Sequence, residues 1–281
     1  MTKQKVVLIT GCSSGFGLLS AVDLAKDHHV IATMRNISKK DPLEIHYNSS
    51  THPTDPGSLT ILPLDVTKPD TITQCIKTIM DKFKRIDVLI NNAGYAQGGF
   101  FEDLSENNIS NQFETNLMGV MKVTRAVLPI MRTQHSGHIM MISSIAGLAS
   151  TPALSAYNAS KFALEGFSES LLFEVADFNI DITLIEPGLF KTDILKNRIL
   201  GDYSYDSNSA YFDWTQKLLK KIETKLIHQN PKKVIRIMRQ ALSSPSPRFR
   251  YVIGKDAKLR LFLKTWLPFT LYKKIVQKMV G

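Results

Sequence analysis

Lys5-Val6-Val7-Leu8-Ile9-Thr10 runs directly into Gly11-Cys12-Ser13-Ser14-Gly15-Phe16-Gly17, and this junction decides the fold. The first segment is an apolar run of the kind expected for a parallel strand covered on both faces. After the glycines, a helical pattern extends to about Asp27. Strand, Gly-rich turn and helix start together form a phosphate cradle. Small residues let the backbone approach a pyrophosphate, and the helix N-terminus supplies N–H donors and positive potential. The glycines are spaced by three residues and then by one, unlike the G-x-G-x-x-G of other dinucleotide folds. A tight turn is the plainer reading of such glycines alone; their place between strand and helix favours a nucleotide. Gly11, Ser13, Ser14, Gly15, Phe16 and Gly17 are the candidate phosphate-side residues.

Outward from this junction, strand and helix signals alternate. His29–Met34 reads as the second strand. An NAD site would place a carboxylate about twenty residues beyond the Gly turn, gripping the ribose diol. Met34 stands there, followed by Arg35, which suits a 2′-phosphate and so NADP(H) over NAD(H). Arg35 acting only as a loop cap is the competing reading. Residues 36–58 lack apolar periodicity and read as a loop or a much reduced helix, with His46 and His52 solvated. Further strands are expected at 59–64, 85–90, 138–142 and 180–185. They end respectively in Asp65-Val66, Asn91-Asn92-Ala93-Gly94, Ser143-Ser144 and Glu186-Pro187-Gly188. Helices are expected up to about Phe83 and from about Ser105 to Gln134, the latter containing Asn116.

This alternation specifies a doubly wound parallel sheet of about seven strands with helices on both faces. Gly11, Asp65, Asn91, Ser144 and Pro187-Gly188 all fall at C-terminal strand ends, the rim along which open α/β sheets bind ligands.

Ser155-Ala156-Tyr157-Asn158-Ala159-Ser160-Lys161 begins a helix. Residues four apart share a helix face, so Tyr157 and Lys161 project together. A free phenol titrates near ~10, and a neighbouring ammonium favours its phenolate. With eight Tyr in the chain, roughly 0.7 such pairs arise by chance, so the pair needs its surroundings. Tyr251 and Lys255 repeat the spacing where a strand runs into a Gly turn, a setting in which the two side chains do not converge.

The chain has 281 residues, enough for one large α/β domain, with 43% hydrophobic and 21% charged residues. Its two cysteines, Cys12 and Cys75, form no disulfide or zinc pattern, and a reducing cytoplasm is the expected location. No signal peptide or membrane-spanning stretch is expected. The net charge of +10 is uneven. From Trp214 to Gly281 there are 17 Lys and Arg against Glu223 and Asp256, about +15; residues 1–213 carry 18 basic and 23 acidic side chains, about −5.

Thr10-Gly11-x-x-x-Gly15-x-Gly17, Asp65, Asn91-Asn92-Ala93-Gly94, Asn116, Ser144, Tyr157-x-x-x-Lys161 and Pro187-Gly188-x-x-x-Thr192 together resemble the motif set of the short-chain dehydrogenases/reductases. The resemblance spans roughly residues 5–195, with each motif in order. It implies that Gly11, Gly15 and Gly17 line the pyrophosphate, that Asp65 with Val66 beside it reaches the adenine, and that Asn91, Ala93 and Gly94 shape the cofactor edge. Pro187 and Gly188 would continue that edge, and Thr192 would hold the nicotinamide amide. Tyr157 would donate and accept the proton, and Lys161 would lower its pKa and bind the nicotinamide ribose. Ser144, thirteen residues before the Tyr, would hydrogen-bond the substrate oxygen, with Ser143 left to strand-end structure. Asn116 would anchor a water-mediated proton path behind Lys161.

Ala32-Thr33-Met34-Arg35 and the long C-terminal part are similar to the 17β-hydroxysteroid and retinol dehydrogenase-like branch, which implies an apolar alcohol or ketone as substrate. The expected assembly is a homodimer or homotetramer. The rival class is a catalytically silent NADP(H)-binding regulatory or scaffolding protein on the same fold.

Residues 1–195 thus form the cofactor-binding and catalytic core, and 196–281 a substrate lid, a last strand and a basic C-terminal helix. Residues 196–212 have the composition of a mobile lid. Tyr211, Phe212 and Trp214 begin a helix and either wall an apolar pocket or pack in the ordinary way. A helix from Pro231 and a strand at Arg248–Ile253 follow. From Lys258 to Val280, apolar and basic residues interleave, with a kink expected at Pro268. Three readings stand for this segment: packing over the pocket or against another subunit, a solvated basic face, or peripheral contact with an anionic membrane. Nucleic-acid binding is not expected, because the charge comes without a recognition motif.

Overall fold

The computed structural model describes residues 4–52, 54–192, 199–224 and 229–280. Its centre is a seven-stranded, all-parallel sheet in the order β3-β2-β1-β4-β6-β7-β9. The strands are β1 (Val6–Ile9), β2 (His29–Met34), β3 (Ser58–Pro63), β4 (Val88–Asn91), β6 (Gly137–Ile142), β7 (Ile180–Pro187) and β9 (Arg250–Ile253). β1 and β4 are buried along their whole length, as a parallel sheet covered on both faces requires. The chain order reverses between β1 and β4, and the Gly-rich turn sits at that switch point.

Two apolar layers sandwich the sheet. On one side, α1 (Gly15–Leu24), α2 (Asp41–Ser50) and α8 (Lys232–Ser243) cover Val7, Ile9, Val30 and Ile90. On the other, α3 (Pro69–Phe83), α5 (Gly119–Gln134) and α6 (Ser155–Glu174) cover Leu8, Ile31, Leu89 and Ile139. α4 (Glu106–Phe113) begins at a capping box in which Ser105 and Asn108 satisfy each other's backbone. A π-helical turn, Glu114–Met118, then joins α4 to α5. The fold is therefore the doubly wound sheet that the strand–helix alternation specifies.

Three segments add detail that the sequence left open. Residues 41–50, read as a loop or reduced helix, form a ten-residue helix with Leu43 its one fully buried side chain. Asp41-Pro42 supplies its start, and tertiary burial does little to hold it. The lid stretch has fixed partners from residue 199 onward; residues 196–198 lie outside the described residues. Here β5 (Gln97–Gly98) pairs with β8 (Ile199–Leu200) in a small second sheet. Asn108 Nδ2 donates to Asp202, and Ser209 Oγ donates to Asp103. Finally, the break expected at Pro268 divides the C-terminal segment into two helices, α9 (Lys255–Trp266) and α10 (Phe269–Val280), with Leu267 extended ahead of the proline.

The edge strand β9 is tied in by charge. Arg250 pairs with Glu165 and Glu169 of α6 and donates at 2.7 Å to Glu186 of β7. Glu186 is completely buried. Burial, then the neighbouring Glu165 carboxylate, push its pKa up from 4.5 to about 8 against the pull of Arg250. Between those values the folded protein binds more protons than the unfolded chain, so stability falls as pH rises through that window. Thermal unfolding of the wild type and of Glu186→Gln from pH 5 to pH 8 should therefore show the wild type losing ground to the variant. A difference independent of pH would remove the linkage.

Candidate active site

The Gly-rich turn is shaped by two kinds of constraint. Gly11 (φ +73°) lies so close to the loop after β4 that an added Cβ would come within 2.7 Å of Ala93 Cα, and one at Gly17 would run into the Gly11 carbonyl and the Asn92 amide. These two positions demand glycine for close packing. Gly15 (φ +59°) differs: its Cβ would find only Thr192, 3.9 Å away. The left-handed backbone there faces open space bounded by Thr192.

Across the switch point the ends of β1 and β4 are laced together. Thr10 Oγ1 accepts from the backbone N–H of Asn92 and of Ala93, at 3.0 Å each. Asn92 Nδ2 returns to the carbonyls of Thr10 and Gly11, at 2.9 Å each. The sequence reading quoted Asn92 within a motif but gave it no role, and did the same with Thr10. The signal was a Thr at one strand end and an Asn pair at the next, whose meaning depends on those strands being neighbours.

Asn91 is turned into the core. Its Nδ2 donates to Thr124 Oγ1 of α5 (2.9 Å), and its buried Oδ1 has no partner. It fastens α5 to the strand end, so any shaping of the rim by this residue comes through its backbone. Val66 packs within the same core and against Gly119. Asp65 Oδ1 accepts from the Thr67 hydroxyl and N–H, which orders the loop after β3. Phe16 meets Phe190 edge to face, with centroids 6.0 Å apart.

Beyond β7, Gly188 N donates to Ile253 O (2.8 Å), and Leu189 N donates to Asp256 Oδ2 (2.7 Å). A Cβ at Gly188 would collide with the Asp256 carboxylate. Asp256, which the sequence showed only as one of two acids in a basic third, thus pins the Pro187–Thr192 loop to the start of α9.

Ser144, Tyr157 and Lys161 come together at the end of β6. Tyr157 and Lys161 sit one turn apart on α6, both buried, with Lys161 Nζ 5.9 Å from the Tyr157 ring centroid. The ammonium donates to Ile142 O at 2.8 Å. Burial raises the Tyr157 phenol above its ordinary value, and the Ser144 hydroxyl pulls it back. Burial lowers Lys161 to about 8, opposed by the Glu165 carboxylate. The main influence on the phenol here is thus its apolar surroundings, and the close partner of the ammonium is a carbonyl. Ser143, one residue earlier, donates to Glu165.

Asn116 lies in the π-turn, whose wider spacing re-aims it out of the α4–α5 register. Its amide closes a two-way bond with Tyr95: Nδ2 donates to Tyr95 O (2.9 Å), and Oδ1 accepts from Tyr95 N (3.1 Å). A Cβ at Gly94 would press on that amide at 3.0 Å. Burial raises the Tyr95 phenol above its ordinary value, and the charge of Arg35, exposed beyond β2, opposes that rise.

A dinucleotide fits this rim. The space over Gly15 is open, and Ser14 makes no side-chain cap on α1, leaving that helix start free to bind an anion. Met34 presents no carboxylate, and Arg35 forms no ion pair among the described residues. Apolar side chains close the other side of the catalytic group. Ala96, Ala146 and Leu154 pack on Tyr157. Phe100 lies against Ala153 and stacks on Tyr211, with centroids 4.6 Å apart. Trp214, on α7 (Phe212–Thr224), meets Phe100 edge-on.

Comparison with known proteins agrees with this geometry. Residues 5–201 match the family described as short chain dehydrogenase. Human retinol dehydrogenase 8 is 38% identical over 88% of this chain and 80% of its own length. The 3-ketodihydrosphingosine reductase of Bacteroides thetaiotaomicron is 36% identical over 95% and 94%. A short-chain dehydrogenase from Streptomyces avermitilis has the same fold (TM-score 0.80), with 32% identity over 98% of this chain and 99% of that one. The glycine turn at the switch point, the Ser144-Tyr157-Lys161 group and a family match over more than half the chain lead to one conclusion: this protein belongs to the short-chain dehydrogenase family of oxidoreductases.

Proposed function

We propose that the protein transfers hydride between NADP(H) and an apolar alcohol or ketone, with Tyr157 as general acid and base. The observation that carries this reading is the convergence of Ser144, Tyr157 and Lys161 beneath an apolar wall, beside an anion-ready helix start. The nicotinamide supplies the hydride when bound. The chain's own residues do the rest. Gly11, Ser13, Ser14, Gly15, Phe16 and Gly17 would hold the pyrophosphate, Arg35 the 2′-phosphate, and Asp65 and Val66 the adenine side. Asn91, Ala93, Gly94, Pro187, Gly188 and Thr192 would border the nicotinamide half.

Ser144 and Tyr157 hydroxyls donate to the substrate oxygen, where negative charge grows during reduction. A phenol kept protonated by burial is suited to deliver the final proton. Lys161 holds a positive charge beneath it and, through Ile142 O, a fixed place. Asn116, bonded to Tyr95, holds the π-turn open behind this pair.

The substrate class follows from the wall of Ala96, Ala146, Leu154, Phe100 and Tyr211, which offers apolar contact around a single polar focus. Two relatives are named for a retinol and for a keto-sphingoid substrate, which supports an elongated, lipid-like molecule. Two buried free thiols, Cys12 and Cys75, accord with a cytoplasmic setting. A homodimer or homotetramer is the assembly we propose, with exposed Phe173 on α6 a candidate contact.

Three measurements test this reading. Tyr157→Phe should lower kcat for NADPH-driven reduction of an apolar ketone by about 10²–10⁴-fold while NADPH still binds. Turnover undiminished in the variant, or absent from both proteins across a panel of steroid, retinoid and long-chain ketones, would leave the silent cofactor-binding alternative standing. Arg35→Ala should weaken NADPH by about tenfold or more and leave NADH nearly unchanged, since it removes one charge-assisted partner; equal losses would remove the 2′-phosphate assignment. Because Lys161 is lowered to about 8, its charge is lost above that pH. Reduction should accordingly fall as pH rises through 8, and a profile flat to pH 10 would contradict the role given to the ammonium.

A further inference from the structure

The helices α9 and α10 present a face that no described part of the chain covers. Leu259, Phe262 and Trp266 follow one another at helical spacing on α9, with the last two rings 6.4 Å apart. Phe269 stands just past the break at Pro268, and Leu271 and Ile275 are one turn apart on α10. All six are exposed, Trp266 by 73% and Phe269 by 75%. Packing of this stripe over the substrate pocket does not occur, because other residues make the inward contacts. Ala257 and Leu261 sit against Ile145 and Ala149, and Tyr272 is buried. Arg260 donates to Ala149 O and to Thr151 Oγ1, both at 2.7 Å, and Lys264 donates to Leu148 O.

Charge identifies the partner. Residues 255–281 contain seven Lys and Arg against one acid, Asp256, and that acid is turned inward to Leu189 and Gln229. Exposed Lys258, Lys273, Lys274 and Lys278 thus share the two helices with the apolar stripe, and no acid follows Asp256 in the sequence. We propose that this face docks the protein on the surface of an anionic lipid bilayer.

Aromatic rings and aliphatic side chains enter the headgroup boundary while lysine stems reach up to lipid phosphates. A second copy of the chain fits poorly, since a two-fold contact sets the patch against itself and brings lysine against lysine. Nucleic acid would take the charge but leave Leu259, Leu271 and Ile275 in water. Each helix has 12 residues, about 18 Å of length against a hydrocarbon core of about 30 Å. Among the described residues no helix is long and apolar enough to cross a membrane, so the pair lies along the surface. Arg260 and Lys264 fasten it to residues 148–151, the loop between Ser144 and Tyr157. Docking sets the catalytic side close to the lipid phase. The docking itself does not depend on the reaction proposed above.

The test uses the full chain and sedimentation with vesicles of phosphatidylcholine alone or mixed with phosphatidylserine. The mixed vesicles should bind at least tenfold more tightly than the neutral ones, and raised salt should weaken that binding. Phe262→Ser/Phe269→Ser and Lys273→Glu/Lys274→Glu should each lose tenfold or more with an unchanged thermal midpoint. In Trp214→Phe, where Trp266 is the one tryptophan left, vesicle binding should shift the emission to the blue. No binding to mixed vesicles, binding that neither double variant weakens, or a Trp266 emission unmoved in the bound fraction would overturn the proposal. So would self-association abolished by Phe262→Ser/Phe269→Ser in a chain that ignores vesicles, or equal binding to vesicles and to single-stranded DNA. Since no arm reads NADPH turnover, failure here is separable from failure of the proposed reaction.

Discussion

The reciprocal lacing of Thr10 and Asn92 is the interaction on which the rest of the rim depends. β1 and β4 diverge in chain order, and each ends in backbone that the sheet no longer pairs. One hydroxyl accepts two N–H groups and one amide nitrogen serves two carbonyls. Buried strand ends with unpaired polar groups would be costly, and this exchange settles four of them with two side chains. It also explains the glycines beside it. With Asn92 pressed on the Gly11 carbonyl, no side chain fits at Gly17, and the Gly11 backbone must bend past Ala93.

The catalytic group is governed by the same burial that stabilises the sheet. Low-dielectric surroundings act in opposite directions on an acid and a base, raising the Tyr157 phenol and lowering the Lys161 amine. The two ordinary values are thereby altered without an ion pair between them. Glu165 restrains the drop in Lys161 from one turn further along α6. Glu165 is itself held by Arg250, so the last strand of the sheet contributes to the electrostatics of a helix that precedes it by some eighty residues.

What the sequence made legible was local. The apolar runs, the Gly turn, the Tyr157–Lys161 spacing and the placement of polar residues at strand ends all rest on side-chain periodicity, and each appears where that periodicity puts it. The partners of Asn92, Glu186 and Asp256 were not legible, because each lies across 64 to 82 residues of chain and becomes a neighbour only through sheet order. The same holds for residues 199–211, whose polar, Gly-containing composition reads as unanchored. Backbone pairing of Ile199 with Gln97 and the Ser209–Asp103 bond hold them, and neither leaves a periodic signal. Asn91 adds a second task to its motif: whatever its backbone does at the rim, its side chain serves the packing of α5.

The uneven charge gains a structural meaning from the C-terminal helices. A basic segment appended to a mildly acidic core could have folded back as a counter-charge. Instead the inward positions of α9 and α10 are filled by Ala257, Leu261 and Tyr272, and Arg260 and Lys264 end on neutral oxygens, the carbonyls of Ala149 and Leu148 and the Thr151 hydroxyl. Neutral partners fix position without cancelling charge, so the positive field of the segment survives into solvent alongside its exposed rings. Uncovered apolar area of this kind is unfavourable in water, and the retained charge beside it suits the anionic lipid surface proposed above.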